Sequence, residues 1–271
     1  MGRLQSKIAM ITGAAGGIGA GIAAAFAAEG ARVAVIDIDG DGARRHADQL
    51  RAKGFDATGF GADIGDAVSI EILFSHVIET FGGIDILCNN AAATQLAANR
   101  DGAVADMDID VWDDTLRINL RGTMLMCKFA IPYMRQRGGG SIINVASASS
   151  RAGSLANTAY GISKAGIAAL TEYVATQCGR DGIRCNTLSP GYIVTPARAP
   201  LLSDATRNLM LKHNLTNRLG RVEDIAAAAV YLAADESGYV TGHQLCIDGG
   251  ALAHQPYYGD LLGHGDGRVS K

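Results

Sequence analysis

The strongest constraint in this sequence is an alternation of two hydrophobic periods. Short apolar, β-branched runs at 7–12, 32–37, 57–62 and 84–89 are each followed by a longer stretch with helical spacing, at 17–30, 42–53, 66–81 and 111–137. Further runs at 141–146, 184–189 and 243–247 are separated by helical stretches near 159–178 and 223–234. Strands that read as continuous apolar runs are buried on both faces, and connections long enough to hold a helix let successive strands run parallel. The pattern predicts an α/β fold: a single-domain, Rossmann-like, doubly wound parallel sheet of about seven strands with helices on both faces. Residues 1–250 show no Pro/Ser-rich linker and no fixed-period repeat, so they read as one domain. Two segments fall outside the alternation: 192–221, placed beyond a strand end where it can act as a substrate lid, and a C-terminal extension, 251–271.

Thr12-Gly13-Ala14-Ala15-Gly16-Gly17-Ile18-Gly19 joins the first strand to the first helix. Glycine at such a turn lets the backbone N–H groups of the helix N-terminus approach a pyrophosphate, and the helix dipole favours the anion. In a chain with 35 glycines the cluster alone is weak, and a tight turn with close helix packing competes with it. Asp37 adds context, because a carboxylate ending the second strand accepts hydrogen bonds from the adenosine ribose hydroxyls and repels a 2′-phosphate. Ala14 and Ala15 offer no basic partner for such a phosphate, and the first basic residue after Asp37 is Arg44. NAD is therefore expected over NADP.

Composition enters mainly by exclusion. A net charge of −3 without long runs of like charge gives no footprint for nucleic acid or an anionic membrane. The apolar stretches fall short of the roughly 18 residues a membrane span needs, and the N-terminus lacks the apolar centre of a signal peptide, so a cytoplasmic protein is expected. Met1-Gly2 with Ser6 loosely matches a myristoylation pattern, but the first strand begins so soon afterwards that a plain start is the simpler reading. Five cysteines without a C-x-x-C, mostly in apolar context, read as reduced buried thiols, and six scattered histidines imply no metal.

Tyr160 and Lys164 stand at i and i+4, hence on one helical face. Elsewhere that would read as an ordinary surface pair. Here Ser147 ends the fifth strand and Asn119 lies inside the preceding helix, so the polar groups converge on the carboxyl edge of the sheet, where ligands of such folds bind.

With these positions the chain resembles the short-chain dehydrogenase/reductase family. The resemblance spans about residues 7 to 250 through Thr12-Gly13-x-x-x-Gly17-x-Gly19, Asp63, Asn89-Asn90-Ala91-Ala92, Asn119, Ser147, Tyr160-x-x-x-Lys164, Pro190-Gly191 and Asp248-Gly249-Gly250, in family order. Ala92 departs from it, since the family usually has glycine there. The resemblance implies a dinucleotide-binding catalytic domain in which Tyr160 is the general acid/base, Ser147 binds the substrate oxygen, Lys164 holds the nicotinamide ribose and lowers the phenol pKa, and Asn119 holds a proton-relay water. A free phenol titrates near about 10, so a base working near neutrality needs such help. It further implies cofactor contacts at Gly13, Gly17, Ile18 and Gly19, at Asp63 and Ile64 beside the adenine, at Asn90 on the adenosine side, and at Ile193 and Thr195 by the carboxamide. Taken singly, Asp63 could be no more than a helix cap, and Asn89 and Asn90 no more than satisfied loop residues.

The expected activity is interconversion of a secondary alcohol and a ketone with NAD. The alternatives are an NADP-dependent 3-oxoacyl reductase, which Asp37 opposes, and a non-catalytic cofactor-binding scaffold, which an intact Asn119, Ser147, Tyr160 and Lys164 oppose. Segments 93–108 and 192–221 look like small, apolar pocket walls, which suits a neutral cyclic or apolar substrate; Arg100, Arg151 and Arg198 could each meet a carboxylate or simply be solvated. Wide apolar arcs on the long helices point to a homo-oligomer, and the resemblance makes a tetramer the first guess. In the extension, Tyr257, Tyr258, Leu261 and Leu262 are expected to dock against the core or a neighbouring subunit, with 263–271 weakly ordered.

Overall fold

The computed structural model describes residues 2–263; the expectation for the tail beyond them lies outside the described residues. Five strands and three helices build the first half: β1 (Ile8–Thr12), α1 (Gly17–Ala28), β2 (Arg32–Asp37), α2 (Gly40–Arg51), β3 (Ala57–Gly61), α3 (Ala67–Phe81), β4 (Ile86–Asn89) and, after the helices described next, β5 (Gly140–Val145). Between β4 and β5 run α4 (Thr94–Asn99), α5 (Ile109–Leu116) and α6 (Gly122–Gln136). The second half adds α7 (Thr158–Cys178), β6 (Ile183–Pro190), β7 (Ile193–Val194), α8 (Asp204–Lys212), β8 (Gly220–Arg221), α9 (Val222–Ala233), β9 (Gln244–Ile247) and α10 (Tyr258–Gly263).

Seven parallel strands form one sheet in the order β3-β2-β1-β4-β5-β6-β9. Alternate residues of each strand feed two cores. On one face Ile11, Val33 and Val35 pack with Ile22 and Phe26 of α1, Leu50 of α2 and Ile225 and Leu232 of α9. On the other, Met10, Ile36 and Leu87 meet Phe74 and Val77 of α3, Met126 and Met134 of α6 and Val174 of α7. β1 lies between β2 and β4, so the chain order reverses there and opens the crevice in which this class of fold binds ligands. The Thr12 hydroxyl ties that point together, accepting from the Asn90 and Ala91 N–H groups at 3.0 and 3.1 Å.

Several helix ends follow ordinary capping chemistry. Asp39, Asp66 and Asp108 cap α2, α3 and α5 through carboxylates on first-turn N–H groups, and Gly82, at φ +82°, ends α3. Asp66, rather than Asp63, is thus the cap of α3. Helix α1 begins at Gly16 without any side-chain cap, leaving its first N–H groups to an outside acceptor.

The single helix expected over 111–137 is instead α5 and α6 joined by a π-helical turn, Arg117–Arg121. An inserted residue of this kind does not break the apolar spacing, so periodicity reads straight through it, but it rotates Asn119 into the interior, where it is fully buried. Segment 192–221 carries α8 and returns on itself, since β7 and β8 pair in parallel as a two-stranded ribbon. The extension reaches back to that segment. His254 places its ring nitrogens 2.8 and 2.9 Å from the His213 and Gln255 carbonyls, Tyr258 packs on His254 with ring centroids 4.6 Å apart, and Lys212 pairs with Asp260 at 2.6 Å. Tyr258 is half-buried, whereas Tyr257, Leu261 and Leu262 remain 57%, 53% and 52% exposed in the single chain.

Candidate active site

Ser147 follows β5 and opens a short 3₁₀ turn, Ala148–Ser150, its Oγ accepting from the Ser149 N–H at 3.2 Å while the Ser150 hydroxyl donates to its carbonyl at 2.7 Å. Burial pushes the Tyr160 phenol, on the first turn of α7, above its ordinary value; the Ser147 hydroxyl and the charge of Arg198 pull it back. Arg198 follows Thr195 in the segment after β7 and its guanidinium lies 5.7 Å from the centre of the Tyr192 ring.

Lys164 is 2% exposed, with Nζ donating to the Val145 carbonyl at 2.8 Å and standing 5.6 Å from the Tyr160 ring centre. Burial brings its pKa down to about 8. That carbonyl takes one of the three donors of an ammonium.

Asn119 is spent on the protein: its Oδ1 accepts from the Ala93 N–H at 2.7 Å and its Nδ2 donates to Ser163 Oγ at 2.9 Å. Ser163 in turn donates to the Tyr160 carbonyl at 2.7 Å. Asn119 therefore braces the turn that carries the tyrosine, a function that neither its position nor that of Ser163 advertises in the sequence. Asn89, a cross-strand neighbour of Asn144, donates to it at 2.9 Å inside a buried polar chain that continues through Thr171 to Thr187.

At the glycine turn, Gly13 and Gly17 have φ of +65° and +57°. A Cβ at Gly19 would sit 2.2 Å from the Gly13 carbonyl oxygen, whereas a Cβ at Gly16 would meet nothing within 4 Å. One glycine is thus demanded by packing and the other borders open space. Asn90 donates from Nδ2 to the Thr12 and Gly13 carbonyls, both at 3.0 Å, so its amide nitrogen supports the turn. Asp37 accepts from the Ala15 and Asp39 N–H groups at 3.0 and 3.1 Å. The nearby Arg44 and Arg45 pair with Asp41 and Asp39. Asp63 accepts from the Gly65 N–H at 2.7 Å and lies 3.7 Å from Arg117, while Ile64 is buried beneath Gly122. Ile193 is buried, and Thr195 Cγ2 is 3.8 Å from where a Gly17 Cβ would stand, so the start of segment 192–221 lies beside the glycine turn.

The structure brings together Gly13, Gly17, Gly19, Asp37, Asn90 and Thr195 at one end of the crevice and Asn119, Ser147, Tyr160 and Lys164 at the other. Asp101 and Ser163 belong to the same constellation and were not singled out from the sequence; their roles rest on contacts across some sixty positions and on a hydroxyl facing inward. Among the described residues no group of three or more His, Cys, Asp or Glu side chains could hold a metal, and no helix is long and apolar enough to cross a membrane.

A family profile described as enoyl-(acyl carrier protein) reductase matches residues 13–251. A probable short-chain type dehydrogenase/reductase of Bradyrhizobium diazoefficiens is 44% identical over 96% of this chain and 92% of its own length. A 7α-hydroxysteroid dehydrogenase of Bacteroides fragilis is 38% identical, covering 94% of this chain and 98% of that protein, and a D-threitol dehydrogenase of Mycolicibacterium smegmatis is 39% identical over 92% and 94%. Among solved structures, a 7α-hydroxysteroid dehydrogenase complexed with NADH and 7-oxo glycochenodeoxycholic acid superposes with a TM-score of 0.86 at 32% identity, over 92% of this chain and 95% of that one.

Proposed function

The chain belongs to the short-chain dehydrogenase/reductase family, and from that premise we propose that it is an NAD-dependent oxidoreductase interconverting a secondary alcohol and a ketone. The observation that carries this reading is the buried Lys164 ammonium held by the Val145 carbonyl 5.6 Å from the Tyr160 ring centre, one helical turn along α7, with Ser147 among the groups that favour the phenolate.

The site fits a dinucleotide on its own terms. The uncapped N–H groups of α1, with open space beside Gly16, suit a pyrophosphate held by Gly13, Gly17, Ile18 and Gly19. The Asp37 carboxylate suits the adenosine ribose hydroxyls and opposes a 2′-phosphate, and Arg44 and Arg45 beside it pair with Asp41 and Asp39. Asp63, Ile64 and Asn90 would flank the adenosine, and Ile193 and Thr195 the carboxamide. When bound, the nicotinamide supplies the acceptor or donor of the hydride.

The rest is the work of the protein's own groups. Ser147 binds the substrate oxygen, and the Tyr160 phenol oxygen exchanges the alcohol proton. Lys164 keeps its ammonium toward the cofactor ribose with the donors that Val145 leaves free, and its charge favours the phenolate. Asn119 holds the turn beneath Tyr160, and a relay water would be held beside its bonds to Ala93 and Ser163.

A neutral cyclic or apolar substrate suits the exposed apolar side chains of the lid and its surroundings, Leu155, Leu201 and Leu209 among them, and two relatives are named for a hydroxysteroid and a polyol. A cytoplasmic homo-oligomer, tetrameric by family resemblance, completes the reading. The test is a panel of cyclic alcohols, hydroxysteroids, dihydrodiols and sugars with NAD and with NADP, followed by nicotinamide absorbance. The expected outcome is turnover with kcat/KM at least about tenfold higher for NAD. NADP preference would refute the cofactor assignment, and silence across the panel the activity.

A further inference from the structure

The first turn of α7 carries Tyr160, yet its own N-cap does not close it. Asn157 takes a left-handed backbone, φ 62°, and makes no side-chain cap bond. The cap comes from elsewhere in the chain. Asp101, only 5% exposed, accepts from the Ala159 N–H at 3.0 Å with Oδ1 and from the Tyr160 N–H at 2.8 Å with Oδ2. Its carbonyl accepts from the Asn157 N–H at 2.9 Å, and the Thr158 hydroxyl donates to the Gly102 carbonyl at 2.8 Å. A carboxylate at a helix N-terminus satisfies orphan donors and meets the positive end of the dipole, so this buried charge is compensated where it lies.

The same segment is held at its other end. Ala93 binds Asn119, Asn119 binds Ser163, and Ser163 binds the Tyr160 carbonyl. Residues 93–101 thus close a ring of hydrogen bonds around one residue, whose own N–H and C=O are both members. We propose that Asp101 is a positioning residue for Tyr160, fixing the first turn of α7 so that the phenol meets Ser147. The inference rests on Tyr160 being the acid/base group. Its physical basis is that a displacement of about 1 Å at a reacting group can cost about a hundredfold in rate.

Asp101→Asn keeps the size but sets an N–H against a backbone donor, and Asp101→Ala removes both acceptors. Three readouts are taken on protein whose unfolding remains cooperative: amide exchange of the 157–163 peptide without cofactor, NADH dissociation by fluorescence, and the pH profile of kcat with the best alcohol of the panel. The expected result is faster exchange in that peptide, NADH affinity within about twofold, and kcat lowered about tenfold in the Asn variant and about a hundredfold in the Ala variant. The acidic limb of the kcat profile for alcohol oxidation should also move to higher pH, because a phenol displaced from Ser147 loses a neighbour that favours the ionised form the base must adopt, with Arg198 and Lys164 the cations beside it.

Unchanged exchange, or faster exchange with normal kcat and an unmoved profile, overturns the proposal. So does a uniform loss of kcat with an unmoved profile and a lower unfolding midpoint, which would make Asp101 a scaffold residue only. If the wild-type protein turns over no alcohol, the dehydrogenase reading fails separately. Ultraviolet difference titration then decides for Asp101, with the Tyr160 signal identified by subtracting Tyr160→Phe: displacement to higher pH supports positioning, and an unmoved titration refutes it.

Discussion

Tyr160 stands under opposed influences, burial raising its phenol pKa while Ser147 and Arg198 lower it. Removing the hydroxyl alone isolates the proton-transfer step. Tyr160→Phe should lower kcat by about a hundredfold or more with NAD affinity nearly unchanged, measured by steady-state kinetics and cofactor fluorescence; more than about a tenth of wild-type kcat would displace Tyr160 from its role. On the proposed reading Asp37 disfavours NADP by repelling its 2′-phosphate. Asp37→Ala should therefore relax the NAD/NADP ratio of kcat/KM by about one to two orders of magnitude without reversing it. Lys164 has its pKa brought down by burial from 10.5 to about 8, so folding disfavours its charged form. The full penalty is present below the folded value, and it fades as pH rises from about 8 toward 10.5, where the unfolded chain holds a proton that the folded one has shed. In cofactor-free protein the stability advantage of Lys164→Met should shrink on going from about pH 7.5 to about pH 9.5, by about 3 kcal/mol at most, in urea unfolding. A constant difference between the variants would show that the ammonium is hydrated.

At the scale of elements, the junction of β1 and α1 assigns different duties to adjacent glycines. Gly19 is required by packing, since its Cβ would overlap the Gly13 carbonyl and Asn90 Nδ2, while Gly16 is extended and faces open space. Gly19→Ala should lower the thermal midpoint and weaken NADH binding together. Gly16→Ala should leave the midpoint within about 1 °C and weaken NADH binding by about tenfold or more, because only the ligand approaches that side. Equal binding in the Gly16 variant and the wild type would place the pyrophosphate elsewhere. The π turn between α5 and α6 is a second case in which local geometry aims a residue, here bringing Asn119 into reach of both Ala93 and Ser163.

At the scale of the whole molecule, the extension packs against segment 192–221. Gly249, at φ +67°, presents a carbonyl that accepts from the Leu215 and Thr216 N–H groups, and His254 bridges to His213 beyond them. These contacts tie 251–263 to the end of α8. Cutting the chain after Gly250 should therefore raise KM for the alcohol and lower the thermal midpoint by a few degrees, read by kinetics and calorimetry. An unchanged KM with a lowered midpoint would reduce the extension to a patch on an apolar surface. The exposed Tyr257, Leu261 and Leu262, together with a groove of about 600 Å³ whose lining joins Leu116, Leu120, Met124 and Leu170 to the charged Asp113, Asp114, Arg117 and Arg121, suit burial between copies. Light scattering of the intact chain at micromolar concentration should accordingly give an oligomer, and a monomer mass would remove that reading.

Periodicity, turn residues and short motifs are local, and what they govern was legible in the chain itself: the alternating elements, the parallel sheet, the uncapped glycine turn and the helix that sets Tyr160 and Lys164 on one face. The tertiary structure alone decided which groups complete the site. A carboxylate can cap a helix from a distant loop, as Asp101 caps α7, and no spacing rule connects the two positions. The paired strands Ile193–Val194 and Gly220–Arg221 are too short to display a period, so the return of segment 192–221 on itself exists only once both ends meet. Burial, too, is a property of the folded whole: it raises the Tyr160 phenol and lowers the Lys164 ammonium, and neither shift can be read from the four-residue spacing that places them.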